Sequence, residues 1–149
     1  MPDVLIASDA TWFQDEIRSI LTAAGTTVRA VRTGTEVLPA MLDEPPDLVI
    51  LDLQIGNMGG MATCLDIRLE EGAGRVDHVP VLMLLDRRAD VFLARRSDAE
   101  GWLLKPLDAI RLRRAAAALI AGGTYFDDSY LPHPVLVAPR SDTISDTGK

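Results

Sequence analysis

The chain carries a single cysteine, Cys64, in its 149 residues. It therefore has no internal disulfide, and a reducing, cytoplasmic setting is the expectation. No apolar run approaches the roughly 18 residues of a membrane span. The start, Met1-Pro2-Asp3, lacks the basic region of a secretory signal. A basic surplus is also missing. Lys+Arg number 15 against 22 Asp+Glu, giving a net charge of −7 and a pI near 4.7. That balance argues against general nucleic-acid binding, which needs a basic face. Neither a P-loop nor a GxGxxG run is present, so the common signatures of a nucleotide site are absent. What is there suits one soluble folded domain: 48% of residues are hydrophobic and 25% charged.

The chain is organised around the stretch from Asp47 to Gly60. The apolar run Leu48 to Leu51 stops at Asp52 and passes into a glycine-containing turn. A run apolar at every position suits a strand buried on both faces of a parallel sheet. Four other segments read as strands: Val4–Ala7, Thr27–Val31 (an edge strand by its alternation), Val79–Leu85 and Gly101–Leu104. Helical spacing falls between them. Phe13, Ile17, Ile20 and Leu21 mark a helix from near Thr11 to Ala23, with Gln14, Asp15, Glu16 and Arg18 as its polar spacers. Thr35 is placed to cap a second helix, which carries Val37, Leu38, Met41 and Leu42 and is shortened or bent by Pro39. A third, Met61 to Glu70, sets Met61, Leu65 and Leu69 on one face. A fourth, Ala89 to Arg96, is anchored by Val91 and Phe92, and a fifth, Leu107 to Ile120, carries Ile110, Leu112, Leu119 and Ile120. Strand and helix alternate five times, the pattern of a doubly wound α/β domain. Residues 1–123 form this domain. Residues 124–149 form a C-terminal extension, in which Tyr125, Phe126, Tyr130 and Leu131 are placed to dock on the domain and the last nine or so residues read as disordered.

Asp9, Asp52 and Lys105 stand at the ends of three separate strands. In a parallel sheet those ends share one rim, where open α/β folds bind ligands. Two carboxylates and a backbone carbonyl suit Mg²⁺, which prefers oxygen ligands and keeps several waters. A carboxylate is also a nucleophile towards phosphorus, giving an acyl phosphate, and a lysine would hold one phosphoryl oxygen.

In these pieces the chain resembles the receiver domain of two-component response regulators. The matching segments are Val4 to Asp9, Asp47 to Gly60, Pro80 to Met83 and Trp102 to Pro106, in the family's order and spacing over about 120 residues. The resemblance implies a five-stranded parallel sheet in the order 2-1-3-4-5, with helices on both faces. It makes Asp52 the phosphoacceptor and Asp9 the direct metal ligand, and Gln54 would lend its backbone carbonyl. Lys105 would pair with the phosphoryl group, and Pro106 would follow in the cis form. A histidine kinase or phosphotransfer protein would supply the phosphoryl group. A protein target, or a second copy of the chain, would meet the face formed by the fourth helix, fifth strand and fifth helix. Direct nucleic-acid contact, membrane association and enzymatic turnover are not implied.

Three departures from the family pattern stand out. Ser8 replaces the first of two acidic residues, which weakens a metal site. Leu85 stands where a Thr or Ser hydroxyl is usual, and Asp86 stands where a small residue is usual. Asp86 would repel an incoming phosphoryl group, or bond Lys105 and imitate the phosphorylated state. Trp102 takes the place of the fifth-strand aromatic that reports the switch. Arg87, Arg88, Arg95 and Arg96 bracket the fourth helix and read as a solvated basic face or a site for an acidic partner. Cys64 reads as core, and His78 and His133 lack metal-ligand spacing. The leading expectation is a stand-alone receiver working in phosphorelay signalling. The alternative is a degenerate receiver that binds its partner without phosphorylation. A phosphatase of the haloacid-dehalogenase type ranks below both, because Gln54 stands where such an enzyme has its second Asp.

Overall fold

The strand-forming runs other than the alternating edge strand Thr27–Val31 are largely apolar because helices cover both faces of the sheet they build. In the computed structural model, which describes residues 1–128, the elements are β1 (Asp3–Ala7), α1 (Thr11–Ala23), β2 (Thr27–Val31), α2 (Val37–Asp43), β3 (Leu48–Asp52), α3 (Gly60–Gly72), β4 (Val81–Leu85), α4 (Val91–Arg96), β5 (Gly101–Leu104), α5 (Ala109–Ile120) and β6 (Tyr125–Phe126). The sheet is wholly parallel, in the order β2-β1-β3-β4-β5-β6. The expected order of the first five strands is present. A sixth strand, from the C-terminal extension, is added beside β5.

The period-two alternation of side chains along a strand divides the core into two layers. Val4, Ile6, Leu48, Ile50, Leu82, Leu84 and Leu103 meet Phe13, Ile17, Leu21, Leu112 and Leu119, so α1 and α5 cover one face. Leu5, Val49, Leu51, Val81, Met83, Leu85 and Trp102 meet Val37, Met41, Cys64, Ile67, Val91 and Ala94, so α2, α3 and α4 cover the other. Cys64 is buried as expected, and its Sγ donates to Ser97 O. Burial pushes its thiol up to about 12, so it is chemically quiet.

Several local expectations are corrected. The buried face of α3 is Gly60, Thr63, Cys64 and Ile67. Leu65 and Leu69 face outward, the latter 69% exposed. Both faces of this helix carry apolar residues at helical spacing, and the close approach of Gly60 to β3 selects one of them. In α4 the anchors are Val91 and Ala94; Phe92 is exposed beneath the Arg96 guanidinium, 5.3 Å from its ring. Ile110 is likewise exposed. The turn before α2 is closed by Glu36, which accepts from the N–H groups of Arg32 and Thr33 and from Thr33 Oγ1, so Thr33 rather than Thr35 starts it. Pro39 lies in the first turn of a seven-residue α2, where its missing N–H costs no hydrogen bond. β4 begins two residues later than expected. Gln14 is buried rather than a solvent spacer. Tyr130, Leu131, His133 and the polar end of the chain lie outside the described residues.

Candidate phosphoacceptor site

β3 delivers Asp52 to the carboxyl rim of the sheet with a carboxylate that is almost wholly enclosed, at 5% exposure. Its Oδ1 accepts from Lys105 Nζ at 3.0 Å and from the Gln54 backbone N–H at 3.2 Å. Its Oδ2 accepts from Ser8 Oγ at 3.2 Å. Three donors therefore satisfy a charge that would otherwise be costly to bury. The chain turns into α3 directly over this point. A Cβ on Gly60 would lie 2.8 Å from Asp52 O and from Leu53 Cα, so only glycine lets the helix start so close to the strand end.

Lys105 enters just after β5, its backbone N–H donating to Leu85 O at 2.8 Å, and its peptide bond to Pro106 is cis. Its ammonium is shared: Nζ lies 3.0 Å from Asp52 Oδ1, 3.0 Å from Asp86 Oδ1 and 4.7 Å from the centroid of the Phe13 ring. Burial alone would lower its pKa. The hydrogen bonds and charges of Asp86 and Asp52 outweigh that and hold it above the ordinary lysine value. Asp86 is thus neither a free loop residue nor remote from the site.

Ser8 is fully buried at the end of β1 and also accepts from the Ala10 N–H at 3.3 Å. Gln14, from α1, donates Nε2 to Ser8 O at 2.5 Å and to Val31 O at 3.2 Å, tying the ends of β1 and β2 together. Asp9 is exposed beside Ser8, with its Oδ2 turned towards Gly56 of the β3–α3 loop. Leu85 is fully buried in the α3/α4 layer and brings no hydroxyl to the rim. Trp102 lies in that layer at 4% exposure, between the Arg95 guanidinium (5.6 Å) and the Phe126 ring (centroids 4.4 Å apart).

The sequence thus brings Asp52, Lys105, Asp86 and Ser8 into direct contact, with Asp9 at the same rim. Gln14, Phe13 and Asp127 are missed by reading the sequence. Gln14 has a signal, since it shares helical spacing with Ile17 and Leu21. Asp127, 4% exposed, has none, because nothing in a polar extension marks a buried carboxylate.

The available oxygens suit Mg²⁺ in a lean form. Asp9, Asp52 and the Gln54 carbonyl are hard donors, and one or two carboxylates suffice for a cation that keeps its waters. Among the described residues no group of three His, Cys, Asp or Glu side chains could hold a metal. Ser8 sets a hydroxyl, not a carboxylate, against Asp52.

The comparisons with known proteins agree with this fold. The family model described as the response regulator receiver domain matches residues 4–117. The DNA-binding response regulator MtrA of Mycobacterium tuberculosis is 30% identical over 105 residues, covering 69% of this chain and 43% of MtrA. The chain thus spans less than half the length of that relative. Among solved structures, the signal receiver domain of a signal transduction histidine kinase from Syntrophus aciditrophicus superposes with a TM-score of 0.73 at 26% identity, covering 82% of this chain and 92% of that one. The receiver domain of NtrX from Brucella abortus gives 0.72 at 25%, covering 81% and 100%. No helix among the described residues is long and apolar enough to cross a membrane. With a doubly wound sheet, an enclosed aspartate at the end of β3 and a lysine closing on it from β5, the chain belongs to the response regulator receiver domain family.

Proposed function

We propose that this chain accepts a phosphoryl group on Asp52 from a histidine kinase or phosphotransfer protein and signals through protein contacts. The observation that carries the reading is the Asp52–Lys105 pair at 3.0 Å on a carboxylate held by two further donors. In the transfer, an Asp52 carboxylate oxygen forms a bond to phosphorus. The bond from phosphorus to the donor's imidazole nitrogen breaks, and its electron pair leaves with the imidazole, which takes up a proton. Lys105 follows the charge as it moves from carboxylate to phosphoryl oxygen, and the Gln54 N–H and Ser8 hydroxyl keep the carboxylate aimed. Mg²⁺, held by Asp9, Asp52 and the Gln54 carbonyl, would neutralise part of the phosphoryl charge. A surface lined by Trp12, Glu16, Pro106 and Leu107, with Phe13 buried beneath it, adjoins Lys105 and offers largely apolar contact to the donor protein.

A second reading has its own support. Asp86 already gives Lys105 an anion, and Leu85 offers no hydroxyl to a phosphoryl group, so the chain would act as a binding module without modification. Intact-mass measurement with Mg²⁺ and a small-molecule phosphodonor, beside Asp52→Asn and an EDTA control, separates the two. A single adduct confined to the unmodified chain with Mg²⁺ supports the acceptor reading. Its absence, with no Mg²⁺-dependent change in tryptophan fluorescence, supports the module. Working as a stand-alone regulator belongs to the same proposal.

A further inference from the structure

The matched family region ends at residue 117, yet the sheet continues. After α5 the chain turns back, and β6 lies parallel to β5, pairing Gly101 with Tyr125 and Trp102 with Phe126. Four separate observations fix it there. The Tyr125 N–H donates to Glu100 O and the Asp127 N–H to Trp102 O. The Phe126 ring packs on Trp102. Asp127, nearly fully buried, turns its Oδ2 onto the Leu104 N–H at 2.9 Å and onto Arg111 Nη1 at 2.8 Å. Finally, Gly101 makes room: a Cβ there would sit 2.5 Å from Tyr125 O.

Leu104 is the residue before Lys105. The β5 end that carries the lysine is thus gripped from both sides, by Leu85 O on the β4 side and by the Asp127 carboxylate on the β6 side. We propose that Tyr125–Asp128 is a latch in cis on the outer edge of the sheet, and that Asp127 is a positioning residue that keeps Lys105 on Asp52 and Asp86. The latch occupies the β5 edge that the resemblance assigned to a protein target, so a partner adding there has to displace it. Release would then reach the acceptor through one peptide unit. That consequence rests on the receiver reading; the latch itself does not.

The test uses the full chain in three variants. Asp127→Ala removes the grip. Asp127→Asn keeps an oxygen acceptor for the Leu104 N–H. Gly101→Ala wedges β6 from β5 without touching Lys105, Asp52 or Asp127. Amide hydrogen exchange reads the latch at Leu104, Tyr125 and Asp127, with β3 amides as the check on folding. Acetylation of Lys105 by acetic anhydride, referred to the Met1 amine, reads the position of the lysine. Expected are at least tenfold faster exchange at Leu104 and at least threefold faster acetylation of Lys105 in Asp127→Ala and Gly101→Ala, with both near wild type in Asp127→Asn and β3 still protected in all. Unchanged Leu104 exchange in Asp127→Ala overturns the latch. Unchanged Lys105 acetylation in the two opened variants overturns the positioning role. Neither readout involves phosphoryl transfer, so failure to label Asp52 counts against the receiver reading alone.

Discussion

Replacing Asp86 with alanine should make Asp52 a faster acceptor. Lys105 Nζ lies 3.0 Å from the Asp86 carboxylate and 3.0 Å from that of Asp52. Any phosphoryl group bonding to this lysine therefore arrives within a few ångströms of Asp86. Two unit charges 4 Å apart interact by about 4 kcal/mol at an effective dielectric of 20. Asp86 is 39% exposed, and solvent screening at such positions reduces interactions to about 1 kcal/mol per unit charge. A phosphoryl group carrying up to two charges would thus meet a penalty of about 1–2 kcal/mol, or roughly a 5- to 30-fold change in rate. Asp86→Ala should speed labelling by a small-molecule phosphodonor about tenfold, read as adduct against time by intact mass. Asp86→Asn, which removes the charge and keeps the shape, should recover most of that gain. The ratio of variant to wild type should shrink in about 1 M salt, where the Debye length falls to roughly 3 Å. Labelling that is equal or slower in Asp86→Ala would refute the reasoning. It would mean that Asp86 helps to hold Lys105 for the reaction more than it repels the incoming group.

Three further outcomes are expected. Ser8→Asp supplies the missing third carboxylate and should tighten Mg²⁺ binding about tenfold, read by titration of tryptophan fluorescence; unchanged affinity would show that Asp9 and Asp52 alone set it. Ile67→Ala empties a fully buried position under α3 and should cost about 2–5 kcal/mol in denaturant unfolding, while Leu69→Ala, on the exposed face, should cost under about 1 kcal/mol. Burial would raise the pKa of Glu71, but the hydrogen bond from His78, the Arg68 charge and the Val79 N–H overcome it, so folding lowers that pKa below 4.5. Its contribution is therefore fully present above the unfolded value and fades as pH falls through the folded one. Acid unfolding below about pH 4.5 should be shallower in Glu71→Gln than in wild type, provided both remain folded at neutral pH.

The strands were legible because burial on both faces leaves unbroken apolar runs such as Leu48–Leu51. The convergence of Asp9, Asp52 and Lys105 followed from strand ends sharing one rim. Helix faces were less legible. In α3, Leu65 and Leu69 compete with Cys64 and Ile67 at the same spacing, and a close glycine contact with β3 decides between them, which no periodicity records. Phe92 misled for a different reason: an aromatic can lie on the surface under a guanidinium, as it does beneath Arg96. For Asp86 the sequence left two roles open, repelling the phosphoryl group or bonding Lys105, and the geometry shows it sharing the lysine. β6 was the least visible element. Two residues are too few for a pattern, and the strand exists because β5 presents a glycine and an aromatic to receive them.

The shortness of β6 also bears on how the protein behaves in concentrated solution. The outer strand of a sheet offers unpaired N–H and C=O groups to any neighbouring molecule. Here, among the described residues, the β5 side ends in a strand of two residues. On the opposite side, β2 is five residues long and carries Arg29 in mid-strand, paired with Asp3 of β1 by contacts of 3.0 and 2.7 Å. Among the described residues neither border presents a long, wholly apolar strand, so molecules crowded together find little there on which to extend one another's sheets.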